Sequence, residues 1–173
     1  MKNLINSVVN TKYYNIAKTK NEKIINFWGG TSLYYVHALS SKSKGSILEN
    51  IVIELCENYF NLVVEKRKNS SHDVIIDGYE TEIKSSMTWD NRPNNWVWQQ
   101  IRRKQKYDRI IFMGCNPEEV YLWWADKNDL NNKVFPVELK LGQHGGGEAN
   151  DTFWVSADGI HNIPEWFKTM EYW

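Results

Sequence analysis

The sequence predicts an α/β fold: a central mixed β-sheet carrying an acidic hairpin and flanked by helices. Three observations carry this. Leu48, Ile51, Val52, Leu55 and Tyr59 recur at helical spacing, an apolar stripe on one face. Short β-branched and aromatic runs follow at 62–65, 109–113, 119–124 and 152–156. Between the helix and the later strands, Asp77-Gly78 sits among apolar residues, a strong signal for a two-residue hairpin. Helical and strand periods interleaved in this way place helices against a mixed sheet.

The 173 residues suffice for one hydrophobic core, and a single domain over 1–173 is expected. Its parts are a helical and loop region at 1–44, a core at 45–124, and a C-terminal strand, glycine-rich loop and helix at 125–173. Ser40 to Gly45 reads as a polar loop. Ser46 followed by Glu49 is a capping-box pattern that opens a helix ending near Asn61. Leu62 to Glu65 reads as a strand and Lys66 to Ser70 as an exposed connection. After Pro93, Asn94-Asn95 caps a helix through about Tyr107, with Trp98, Ile101 and Gln105 on one side. Lys127 to Leu130 is a short turn or helix. A last helix opens after Ile163, with Pro164 in its first turn.

Apolar residues make up 42% and charged residues 24%, a globular balance. The 21 basic and 21 acidic residues cancel. Binding nucleic acid by bulk charge is thereby disfavoured, whereas a local basic strip is not. Cys56 and Cys115 are too few for a disulfide scaffold or a four-cysteine iron–sulfur centre, and His37, His72, His144 and His161 have no zinc spacing. The N-terminal stretch lacks a continuous apolar core, and no later run has the length and hydropathy of a membrane span. The expectation is a soluble cytoplasmic or otherwise intracellular protein with no membrane partner.

With Asp77-Gly78 as the loop, Ile76 pairs with Tyr79, Ile75 with Glu80, Val74 with Thr81 and Asp73 with Glu82. Alternation then puts Val74, Ile76, Tyr79, Thr81 and Ile83 on one face, and Asp73, Ile75, Glu80, Glu82 and Lys84 on the other. Two carboxylates thus lie side by side with an ammonium two residues on. Like charges directly opposed are destabilising, and a divalent cation compensates them most directly. Mg²⁺, or Mn²⁺ in its place, suits carboxylate and carbonyl oxygens, with one or two ions per site. Such ions activate water and stabilise charge developing on a phosphoryl group. Lys84 would act beside the attacking water, as a charge stabiliser or as a base.

Asp73 followed by Glu82-Ile83-Lys84-Ser85-Ser86 resembles the PD-(D/E)xK motif of the restriction-endonuclease-like nuclease superfamily. The order helix, strand, hairpin, helix, strand over 45–124 is similar to that family's core. His72 stands where the motif has proline, and the gap from Asp73 to Glu82 is short, as in compact restriction enzymes. The resemblance implies that Asp73, Glu82 and the main-chain carbonyl of Ile83 hold the metal, with Lys84 positioning the water. Gly45-x-x-x-Glu49 resembles a further acid from the preceding helix, so Glu49 is a metal ligand, a cap residue or both. The implied activity is Mg²⁺-dependent cleavage of double-stranded DNA, of type II restriction character, by a homodimer. Two alternatives stand beside it. One is a structure-specific repair, junction-resolving or viral nuclease of the same fold. The other is a DNA-binding module whose acids do no chemistry.

The segment Trp96 to Tyr107 concentrates cations, amides and aromatics suited to phosphates and base edges. Gln99, Gln100, Arg102 and Arg103 are candidates for DNA contact, with Asn94 at the segment's start. The family often has a glutamine or a cation on the helix after the (D/E)xK strand, near the metal, and Gln100 is favoured for its distance from the start of the helix. The glycine-rich stretch 142–152 lacks Walker spacing, and no G-x-S-x-G elbow accompanies it. It reads as a loop that approaches a DNA groove or a mobile surface loop, with His144, Asn150 and Thr152 as possible contacts. The nine tryptophans sit mostly in strand or helix patterns, where packing rather than ligand stacking is their expected role.

Overall fold

The computed structural model describes residues 28–31, 33–66, 71–88, 95–117, 119–134 and 152–173, and among these two helices precede the sheet. Helix α1 is one turn, Tyr34–His37, and α2 spans Ser41–Asn58. Ser40 is the N-cap of α2, its side chain accepting a hydrogen bond from the Ser43 amide. The helix therefore starts at Ser41 rather than Ser46, and the Ser46–Glu49 pattern lies inside it. The polar stretch is helical because the stripe below it is anchored. Ile47, Leu48, Ile51, Val52, Leu55 and Cys56 are all buried, and tertiary packing outweighs weak local propensity.

The strands expected at 62–65, 109–113, 119–124 and 152–156 and in the hairpin form, and two strands the sequence does not predict join them. Together they are β1 (Val64–Lys66), β2 (Val74–Ile76), β3 (Tyr79–Met87), β4 (Asn95–Arg102), β5 (Arg109–Cys115), β6 (Val120–Asp126), β7 (Thr152–Asp158) and β8 (Lys168–Thr169), of which β4 and β8 are the two not predicted. Helix α3, Lys127–Lys133, follows β6 directly. Six strands form one mixed sheet in the order β1-β2-β3-β5-β6-β8, in which only β3 and β5 run parallel. The other two, β4 and β7, form a separate antiparallel ribbon.

The expected helix over 94–107 is instead strand β4. Trp96 and Trp98 are fully buried, whereas Val97 between them is half-buried and Gln99 is exposed. That is the two-residue period of a strand, written in aromatic and β-branched residues. Each indole also reaches onto β5. Trp96 Nε1 donates to the Cys115 carbonyl at 3.1 Å and Trp98 Nε1 to the Met113 carbonyl at 2.8 Å. The connection between parallel β3 and β5 thus passes through the ribbon rather than through a crossover helix.

The expected final helix is also replaced. A 3-10 turn at Ile160–Asn162, the two-residue strand β8 and a second 3-10 turn at Met170–Tyr172 end the chain. Strand β8 satisfies the free edge of β6, pairing Thr169 with Trp123 and Lys168 with Trp124. Edge backbone groups in need of partners outweighed the weak helical signal after Pro164.

Both faces of the main sheet are covered. On one, Val74, Ile76, Ile83, Ile111, Met113, Leu122 and Trp124 join the buried residues of α1 and α2. On the other, Ile110, Phe112, Trp123 and Ala125 join Trp96, Trp98, Phe153 and Val155 of the ribbon and Leu130 of α3. The acidic hairpin thus belongs to a sheet with helices on one side and a ribbon plus one short helix on the other. No helix among the described residues is long and apolar enough to cross a membrane.

At Gly114 the ribbon comes close to the sheet. A Cβ there would lie 2.9 Å from Trp96 Cε2 and 3.1 Å from Trp123 Cζ3. Both rings are buried, so Gly114→Ala is expected to destabilise by about 1–3 kcal/mol through overpacking. Chemical denaturation measures this directly, and wild-type stability in the variant would show that the Trp96 ring can yield.

Candidate active site

The hairpin turn places the carboxylates. Asp77 and Gly78 have φ of 48° and 83°, the left-handed pair that a two-residue I′ turn requires. Asp77 Oδ1 accepts the Val63 amide at 2.8 Å, tying the turn to the residue before β1. The β2–β3 register is Ile76↔Tyr79, Ile75↔Glu80 and Val74↔Thr81, as the sequence predicts. The ladder stops there, one pair before Asp73 and Glu82. The Asp73 amide donates to the Thr81 carbonyl at 3.1 Å. Its carboxylate Oδ2 accepts the Ile83 amide at 2.8 Å. A side chain has taken the place of a ladder bond, a local competition that aspartate makes readily.

Glu82 lies on the ribbon side of β3 with only 3% of its surface exposed. Lys84 Nζ donates to Oε1 and Gln105 Nε2 donates to Oε2, each at 2.5 Å. Burial pushes the Glu82 carboxyl above the usual carboxylate range. The Lys84 charge opposes that rise, the nearby Asp73 adds to it, and Arg102 opposes it more weakly. The arrangement is a buried carboxylate beside a second one, with an ammonium and an amide directed at it.

The segment carrying Gln105 is fixed from two sides. Lys127 Nζ, at the first position of α3, donates to the carbonyls of Arg102 and Gln105, both at 3.2 Å. The same ammonium lies 3.6 Å from the centroid of the Tyr107 ring. The Asp108 amide donates to the Glu80 carbonyl at 2.7 Å, and Asp108 Oδ2 accepts the Glu80 amide at 3.0 Å. Tyr107 is buried, and burial together with the Glu82 charge pushes its phenol well above the ordinary tyrosine value.

The structure brings Asp73, Glu82 and Lys84 together, with the Ile83 peptide held between them by Asp73. Glu49 is half-buried within α2. Among the described residues no group of three or more His, Cys, Asp or Glu side chains is placed to hold a metal. Glu49 is therefore not gathered into such a group with Asp73 and Glu82. Gln99, Gln100 and Arg102 are exposed on β4, and the Arg103 guanidinium lies over the Phe153 ring. Thr152 opens β7 opposite Arg102. Asn94, His144 and Asn150 lie outside the described residues.

Gln105, Tyr107 and Lys127 were missed as site residues. Gln105 shares a side with Trp98 and Ile101 in the sequence reading, which marks it as inward-facing. Nothing local indicates that it ends on Glu82.

Carboxylate oxygens are the kind of donor that a hard divalent cation takes. Asp73 and Glu82 offer carboxylate oxygens, and a cation with few protein ligands keeps several waters. Lys84 and Gln105 donate to Glu82 but leave its oxygens further lone pairs. No family model matches the chain, and no curated protein matches it. A solved structure is similar. It is a bacterial homing endonuclease, I-Ssp6803I, with a TM-score of 0.44 and 18% identity over 75% of this chain and 87% of that one. A likeness this distant bears on neither the reaction nor its residues.

Proposed function

We propose that the chain is a metal-dependent endonuclease that hydrolyses phosphodiester bonds in double-stranded DNA, of restriction type. One observation carries the proposal. The Asp77-Gly78 turn gathers Asp73 and Glu82, in the order and spacing of a PD-(D/E)xK motif, with Lys84 on the buried Glu82. Asp73, Glu82 and the Ile83 carbonyl would hold Mg²⁺, or Mn²⁺ in its place. The bound ion supplies Lewis-acid stabilisation of the phosphoryl oxygens and lowers the pKa of water.

The chain's own residues do the remaining work. Glu82 must be ionised to bind the cation, and the charges of Lys84 and Arg102 favour that form against burial. Lys84, two residues along the strand on the same face, orients the attacking water and stabilises the charge that develops on the phosphate. Gln105 holds the second Glu82 oxygen so that the carboxylate cannot rotate away. Arg102, Arg103, Lys104 and Lys106 form a basic strip with no acid among them over residues 95–107, which neutralises phosphates despite a net charge of zero. One centre per chain cuts one strand, so a two-fold homodimer supplies the two cuts.

Incubation of purified protein with plasmid of known sequence, with Mg²⁺ or with EDTA, tests the reading. Discrete fragments in Mg²⁺ alone are the expected result. Absence of metal-dependent cleavage would overturn it, and cutting confined to branched junctions would replace restriction by structure-specific cleavage.

A further inference from the structure

We propose that the β4–β7 ribbon reads base edges in the major groove, and that the bulge at Gln99-Gln100 is its discriminating element. This rests on the duplex-DNA partner proposed above.

The register between β4 and β7 runs Asn95↔Asp158 to Trp98↔Val155, shifts, and resumes at Ile101↔Phe153 and Arg102↔Thr152. The shift is a bulge that holds Gln99 and Gln100. Inward-facing Trp98 and Ile101 are both buried, so the two glutamines between them are turned out together and both are exposed. Gln100 has φ of 59°, in the left-handed region that a side chain other than glycine adopts only at a cost. Glycine at this position would relieve the backbone, yet the chain places an amide there. Bulges re-aim side chains, often beside active sites. This one lies five residues before Gln105, whose amide rests on Glu82.

The chemistry of the ribbon selects its partner. A two-stranded β-ribbon fits the major groove of B-DNA, and a glutamine amide pairs with adenine through N6 and N7. Arg102, Arg103, Lys104 and Lys106 follow the bulge directly and supply the charge that a phosphate backbone requires. Indole hydrogen bonds pin the inner side of β4 to β5, so the outer amides stand on a rigid base.

Gln100→Gly separates this role from a structural one, because it removes the amide while suiting the backbone. Wild type and variant are compared by thermal melting, by selection from a pool of randomised duplexes in Ca²⁺, and by mapping cleavage ends in Mg²⁺. The expected variant melts no lower than wild type. It loses roughly 5–150-fold of its preference at one adenine-bearing position and binds the whole pool with little change. Gln99→Ala is expected to relax the same or the adjacent position. Identical selected sites for wild type and Gln100→Gly, or no base preference in wild type, would overturn the proposal. A variant that melts below wild type would overturn the premise that the conformation is held at a cost. Selective binding without cleavage sustains the ribbon and sinks the nuclease reading. Cleavage at unchanged sites does the reverse, and a wild type that neither binds nor cuts sinks both.

Discussion

Glu82→Gln and Lys84→Met are each expected to lower metal-dependent DNA cleavage by at least ~10³-fold, in line with the cost of removing a preorganised group that stabilises transition-state charge. The two substitutions act differently. Glu82→Gln keeps an oxygen for Lys84 and, by rotation of the Gln105 amide, a partner for that residue as well. What it loses is the negative charge that, in the proposed site, would draw the cation. Lys84→Met keeps much of the side-chain volume and loses the ammonium on Glu82, which the proposal sets beside the attacking water. Initial rates over a Mg²⁺ titration distinguish the two. Excess Mg²⁺ should recover part of the Glu82→Gln loss and none of the Lys84→Met loss. Wild-type rates in both variants would show that this cluster is not the catalytic centre.

In the absence of metal, Glu82→Gln is expected to be more stable than wild type at neutral pH, and addition of Mg²⁺ should reverse the order. Burial holds the folded Glu82 carboxyl above its unfolded value, so the native state binds more protons than the unfolded chain between the two. Stability is therefore unaffected below the unfolded carboxylate range. It falls as pH rises from that range through the higher folded pKa. The variant has no proton to lose there, so its stability lacks that decline. With Mg²⁺ bound to the native state alone, as proposed, wild type should gain about 2.7 kcal/mol at a hundredfold excess over the dissociation constant. For a chain of this size that is roughly 5–10 °C in melting temperature. Melting curves at pH 4 to 8, with EDTA and with Mg²⁺, measure both effects. Parallel curves for the two proteins with EDTA, or an equal Mg²⁺ shift in both, would contradict the assignment of Glu82.

The hairpin was legible because everything that specifies it is local. Asp77 and Gly78 dictate the turn, and alternation then assigns Glu82 and Lys84 to one face without reference to the rest of the chain. Even there, the sequence pairs Asp73 with Glu82 in the ladder, whereas the Asp73 side chain reaches the Ile83 amide instead. The sequence of strand β4 predicts a helix because Trp98, Ile101 and Gln105 recur at helical spacing behind a pair of asparagines. Its true state depends on β7, which lies 63 residues away at the Asn95–Asp158 pair. No window of the sequence contains both strands. Gln105 is the same case for the site. Its position depends on Lys127 and on the Asp108 contacts to Glu80, which only the assembled fold supplies.

That separation also orders events in time. A two-residue hairpin closes within about 1–10 μs, because its contacts are neighbours in sequence. The β4–β7 ribbon must first close a long stretch of chain, and such non-local pairing is slow. Asp73 and Glu82 should therefore meet early in folding, while the indoles of Trp96 and Trp98 still face water. Pulsed hydrogen exchange should protect the amides of Tyr79, Thr81 and Ile83, which face β2 and Asp73, before those of Trp96 and Trp98, which face β7. The acids would then spend the early stages of folding in solvent, where their repulsion is screened, and would bear the cost of desolvation only when the ribbon closes over them.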